Sequence, residues 1–151
     1  MKTKVRTVSS VYETDFHEWT QQQGALLRAG RIAELDLENL AEEIESMGAS
    51  DRRELFSRIN VLLIHLLKWR YQPEERSSNW IGTINEQRNQ LDLLLRQSPS
   101  LRRWLLEAIE DGYARARRDA ARETGLPATT FPDACSFSSE QILDSDYWPG
   151  S

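Results

Sequence analysis

The sequence predicts an all-α fold, a single-domain bundle of about five helices with an ordered C-terminal arm. Three observations lead there. Apolar residues recur at three- and four-residue spacing from Phe16 to Ala120. Capping residues and Gly or Pro stops bound each periodic stretch. No stretch alternates polar and apolar residues long enough to read as a strand, and no internal repeat is present. The chain has 151 residues, 39% hydrophobic and 28% charged, a composition that can bury a real core in one domain.

The elements follow in order. Thr14 can cap a first helix that carries Phe16, Trp19, Leu26 and Leu27 on one face and stops at Gly30. Gln23 falls inside that stripe, where its amide needs a partner. A second helix runs from Asp36, an N-cap with Asn39 at N3, to Met47, and Gly48 ends it. Its expected core face is Leu37, Leu40, Ala41, Ile44 and Met47, with Glu38, Glu42 and Glu45 outside. Ser50 or Asp51 starts a third helix that ends before Pro73. Between Val61 and Leu67 it is apolar on nearly every side, as a central helix would be. Ser77 or Ser78 caps a fourth, reaching about Gln97.

Ser98 with Pro99 at N1 starts a fifth helix, which runs to Glu123 and stops at Gly125 and Pro127. Its buried side includes Leu101, Trp104, Leu105, Ala108, Ile109 and the small residues Gly112, Ala116 and Ala120. The last segment holds Pro127, Pro132 and Pro149, yet also Phe131, Phe137, Ile142, Leu143, Tyr147 and Trp148. A disordered tail lacks such residues. It reads as an arm laid over the bundle, with a short helix near Ser139 to Asp144. The organisation is therefore a flexible N-terminus over residues 1–11, a bundle over 12–125 and an arm over 126–151.

Composition narrows the function classes. The net charge of −5 disfavours a role that rests on neutralising nucleic-acid phosphates. Cys135 is the single cysteine, so neither an intrachain disulfide nor a thiolate metal cluster can form. No apolar stretch approaches the roughly 20 residues of a membrane span, and no secretory signal follows Met1. The expectation is a cytoplasmic protein that does not enter a membrane.

Two ionisable residues stand on apolar faces. Arg88 lies on the stripe of Trp80, Ile81, Ile84, Leu91 and Leu95, and His65 interrupts the run from Val61 to Leu67. A buried guanidinium keeps its charge and needs acceptors, preferably a carboxylate taken bidentately. The expected network joins Arg88 and His65 to Glu43, with Asp36 as the second choice of carboxylate. Thr83 and Gln87 stand at its edge.

A metal site finds less support. His65 with Glu42 or Glu43 offers nitrogen and oxygen ligands, but Leu62 stands three residues before His65 where a di-iron bundle needs Glu. Thr14 stands in that place before His17, and the zinc His-Glu-x-x-His spacing is absent. No metal and no cofactor are expected. Neither a nucleophile elbow nor a Gly-rich phosphate loop is present. Whether the protein is an enzyme is left open.

Two surfaces remain. Lys68, Trp69 and Arg70, with Tyr71, form a basic–aromatic cluster that could touch a partner or simply end the core helix. The arginines of the fifth helix, Arg115, Arg117, Arg118 and Arg122, are interleaved with acids and read as a solvated face. Glu38, Glu42 and Glu45 make a negative face suited to a basic partner or a second copy.

Taken together, the chain resembles the bacterial domain of unknown function family 29. The matching residues start with Tyr12, Glu13, Asp15, Phe16 and Trp19, and continue through Leu35, Asp36, Glu38, Asn39, Leu40, Glu42, Glu43 and Ile44. Leu62, Leu63, His65, Leu66, Leu67, Lys68 and Pro73 form the central match. Trp80, Thr83, Ile84, Gln87, Arg88, Pro99, Ser100, Leu101, Tyr113, Ala116, Pro132, Leu143 and Asp144 complete it. The resemblance implies a compact helical fold in a bacterial protein and carries no activity with it.

The functional expectation is a non-catalytic bacterial interaction or regulatory module, with a protein partner or self-association. The alternative is a small enzyme or ligand-binding protein built on Glu43, His65 and Arg88. A nucleic-acid accessory role stands behind both.

Overall fold

Helices account for nearly all regular structure, and among the described residues no strand is present. The computed structural model describes residues 11–150. Most of the expected flexible N-terminus lies outside the described residues, as does Ser151. Contacts group the chain into two compact units, residues 1–49 and 50–151. That division differs from the 12–125 bundle read from the sequence.

The first unit opens with helical residues 11–14. Asp15, rather than Thr14, then caps α1 (Phe16–Arg28) by accepting from the Glu18 backbone N–H. Gly30, at φ 68°, takes the left-handed conformation that ends the helix. A 3₁₀ turn (Ile32–Glu34) leads to Asp36, which caps the next helix through the Asn39 backbone N–H at 3.4 Å.

The second and third expected helices are one. α2 runs unbroken from Leu37 to Tyr71, 35 residues. Gly48 does not stop it. Glycine inside a helix costs roughly 1 kcal/mol against alanine, a price that good helix formers on both sides can absorb, and no proline interrupts the ladder.

In the second unit, α2 from Leu55 to Leu67 is the most buried stretch, with Leu55, Ile59, Leu62, Leu63, Leu66 and Leu67 fully enclosed. A 3₁₀ turn at Pro73–Glu75 precedes α3 (Ser78–Gln97), which Ser77 caps through the Trp80 backbone N–H. α3 adds Ile84, Leu91, Leu94 and Leu95 to the core. The fifth expected helix begins as a 3₁₀ segment (Pro99–Trp104) and becomes α4 (Leu105–Thr124). Gly125, at φ 77°, ends it as expected. α4 contributes Ile109 and Tyr113 and a small-residue face of Ala108, Ala116 and Ala120, all buried.

The arm packs on this core. Phe131, Phe137 and Ile142 are buried members of it. Its short helix α5 (Ser139–Leu143) carries a capping box, with Ser138 and Gln141 each bonding the other's backbone N–H.

Candidate functional site

The hydrogen bonds divide the expected Glu43–Asp36–His65–Arg88 network into three settings. In the first unit, the acids serve aromatic and amide side chains. Tyr12 donates its hydroxyl to Glu43 Oε2 at 2.6 Å. The bond donated to Glu43, then burial and the surrounding acids, push the Tyr12 phenol up to about 12. Asp36 Oδ2 accepts from Trp19 Nε1 at 3.0 Å and from Asn39 Nδ2 at 2.7 Å. Gln23, buried in the α1 stripe, finds its partner in the Asp36 backbone N–H at 2.8 Å. Tyr12, Phe16 and Trp19 pack on one another, Tyr12 meeting Trp19 edge-on at 4.8 Å.

Arg88 takes no carboxylate. It is 2% exposed, and its Nε donates to Ile142 O at 2.8 Å while Nη2 donates to Gln141 O at 3.2 Å. Both carbonyls belong to the last turn of α5, where a helix leaves its acceptors unpaired. A cation at that end also interacts favourably with the negative end of the helix dipole. The guanidinium lies 5.6 Å from the Trp148 ring centroid. Nη1 is buried with no hydrogen-bond partner. Burial lowers the Arg88 pKa, and Asp144 acts against that shift. The Glu43–Arg88 pair is thus corrected: the arm's main chain supplies the acceptors.

That choice recurs along the arm. Tyr113 donates its hydroxyl to Pro132 O at 2.6 Å, Arg117 donates to Phe131 O at 3.1 Å, and Arg76 donates to Pro149 O at 3.4 Å. Side chains of the helices and of the turn after α2 hold the arm by its carbonyls at four places. Each bond satisfies a main-chain group that burial would otherwise leave unpaired.

His65 stands apart from both carboxylates and Arg88 in its bonding. Its Nδ1 lies 2.9 Å from Val61 O, one turn earlier on α2. Burial lowers its pKa, and the Lys68 charge adds to the shift. The Lys68–Trp69–Arg70 cluster is largely spent within the chain. Lys68 Nζ pairs with Glu123 at 3.0 Å and lies 4.9 Å from the Trp80 ring centroid. Trp69 packs with Trp148, ring centroids 4.7 Å apart, and with the Arg76 guanidinium, 4.6 Å from its ring centroid. Of the three, only Arg70 is exposed.

The larger surprise is in the first part of α2. Leu37, Ile44 and Met47, expected in the core, are 62%, 64% and 64% exposed. Ala41 is exposed too. α1 uses the neighbouring side of the helix, where Asp36, Asn39 and Glu43 make the bonds described above. The apolar stripe beside it stays open.

The family model for domain of unknown function DUF29 matches residues 11–148. The chain belongs to this family. No curated protein and no solved structure matches it. DUF29 membership spans both units and the arm without assigning a reaction to any of them. Among the described residues, no helix is long and apolar enough to cross a membrane. No group of three or more His, Cys, Asp or Glu side chains there is placed to hold a metal ion.

Proposed function

We propose that this protein is a non-catalytic interaction or regulatory module of the bacterial cytoplasm. Its docking surface is the open stripe of α2, and the occupant is a basic amphipathic segment of another protein. One observation carries this reading: Leu37, Ile44 and Met47 lie along one side of a helix and are each more than 60% exposed. Leu37, Ala41, Ile44 and Gly48 recur in steps of four, three and four, the spacing by which a helix presents a seam to a partner.

Charge selects the occupant. Residues 11–49 hold nine carboxylates against Arg28 and Arg31, a net charge of −7 with His17 neutral. Glu38, Glu42 and Glu45 flank the stripe. A second copy would bring the same acids face to face, and nucleic-acid phosphates would meet the same repulsion. The enzymatic alternative has no assembled constellation to rest on, because Glu43, His65 and Arg88 bond separately.

The test is a photo-crosslinking residue at Ile44 in the living host, with the adduct read by mass spectrometry. The expected adduct lies on a basic amphipathic segment of another protein. That segment, as a synthetic peptide, then binds the purified chain and loses about tenfold or more in affinity to Ile44→Glu. Its binding also weakens as salt rises. No adduct, an adduct on a second copy, or a peptide indifferent to Ile44→Glu overturns the proposal.

A further inference from the structure

A separate cleft of about 480 Å³ lies in the second unit, between the early turns of that unit's part of α2 and the middle of α4. This is the size range of small-molecule sites, roughly 300–1,000 Å³. Arg52, Arg53 and Arg115 line it with Phe56, Asn60 and Gly112. Three features distinguish it from an ordinary charged surface.

The first is unspent charge. Six of the sixteen arginines and lysines among the described residues have a carboxylate within 4.0 Å; Arg52, Arg53 and Arg115 are three of the ten without one, and what sets them apart is that they share one cleft. Asp111 is the one acid in the lining, so cations outnumber it three to one. The second is preorganisation. The Arg52 guanidinium stands 4.8 Å from the Trp104 ring centroid, and stacking there limits the directions it can take. The Asn60 amide donates to Gly112 O at 3.2 Å, tying the two walls together. The third is an apolar face. Phe56 offers a ring.

Guanidinium groups around an aromatic wall recognise an anion that also carries flat apolar surface. The guanidinium forks suit a phosphate or carboxylate, and the ring suits the body attached to it. We propose that this cleft binds a small organic anion, a phosphate or carboxylate on a flat apolar body. The cleft is independent of the docking stripe, since no residue is shared. A free inorganic anion would use the arginines without the ring.

Nuclear magnetic resonance titration of the full chain tests this, with 1-naphthyl phosphate, 1-naphthoate and inorganic phosphate as probes. The expected result is saturable shifts at the Asn60 side-chain amide and the Gly112 backbone amide with a naphthyl probe, and binding at least about tenfold tighter than inorganic phosphate. The double variant Arg53→Ala/Arg115→Ala weakens that binding about tenfold or more. Arg118→Ala, an exposed arginine of α4 outside the lining, leaves it unchanged. All three side chains are exposed, so the fold survives these changes, which an unchanged amide spectrum away from the cleft verifies. Absence of shifts with both naphthyl probes overturns the proposal. So does binding no tighter than inorganic phosphate, or an equal loss in Arg118→Ala.

Discussion

Helix α2 carries one apolar rhythm into two kinds of surroundings. Leu37, Ala41, Ile44 and Gly48 are followed, seven residues after Gly48, by Leu55, Ile59, Leu62 and Leu66 at the same spacing. In the second unit those later positions are fully buried, beneath partners from α3 and α4. In the first unit the corresponding side is open, and α1 and the helical turn before it are held instead by polar bonds from Trp19 to Asp36 and from Tyr12 to Glu43. Periodicity tells which side of a helix is apolar. It does not tell whether anything covers that side.

The two regions also pair their polar groups differently. In the first unit the Asp36 carboxylate meets other side chains, accepting from both Trp19 and Asn39. In the second, arginines and a tyrosine reach main-chain carbonyls of the arm. The first pattern fixes partners by residue identity. The second needs only that the arm's backbone follow its path.

One substitution made at both ends of the rhythm separates the two regions by the largest expected effect. Leu62→Ala, at a fully buried site, costs about 2–5 kcal/mol of stability by urea denaturation. Leu37→Ala, at a site 62% exposed, stays within about 0.5 kcal/mol of wild type. Equal losses would show that the first part of α2 is covered after all.

A smaller effect is expected for Arg88→Met. It leaves Ile142 O and Gln141 O without their donor and costs about 1–3 kcal/mol. Hydrogen exchange should then quicken in α5 before it changes in α1. Uniform quickening would mean that Arg88 supports the whole core rather than the arm.

The smallest effect concerns pH. Burial holds the folded-state pKa of His65 below its usual 6.5, so the unfolded chain binds more protons in the interval between the two values. The stability linked to a neutral His65 is complete above about 6.5 and is lost as pH falls through that interval toward the folded pKa. His65→Asn is therefore expected to lose less stability than wild type between pH 7.5 and pH 5.5, about a unit either side of the usual histidine value. Parallel losses in the two proteins would remove His65 from the pH response.

Much of the fold was legible because its signals are local. Ser77 and the Ser138–Gln141 capping box mark helix starts, Gly30 and Gly125 mark ends, and the arm's aromatics announce burial. Gly48 misled because a helix-weakening residue is not a helix-ending one. The burial of Arg88 was also legible, from the apolar stripe around it. Its acceptors were not, because a carbonyl is common to every residue and leaves no mark in sequence. The cleft was missed for a related reason. In sequence Arg115 alternates with acids as on a solvated face, and nothing in the spacing of Arg52 and Arg53 ties them to it. Only the meeting of α2 with α4 shows that they share a hollow.

By itself, then, the amino-acid sequence determined the helical class, the apolar sides of the helices, the ordered arm and the need of Arg88 for an acceptor. These follow from spacing, capping and the cost of burying charge, which act over a few residues. The tertiary structure decided which apolar side is covered, which acceptor Arg88 takes and which arginines stand together. Those outcomes depend on groups far apart in the chain, and local periodicity holds no information about which of them come within bonding distance.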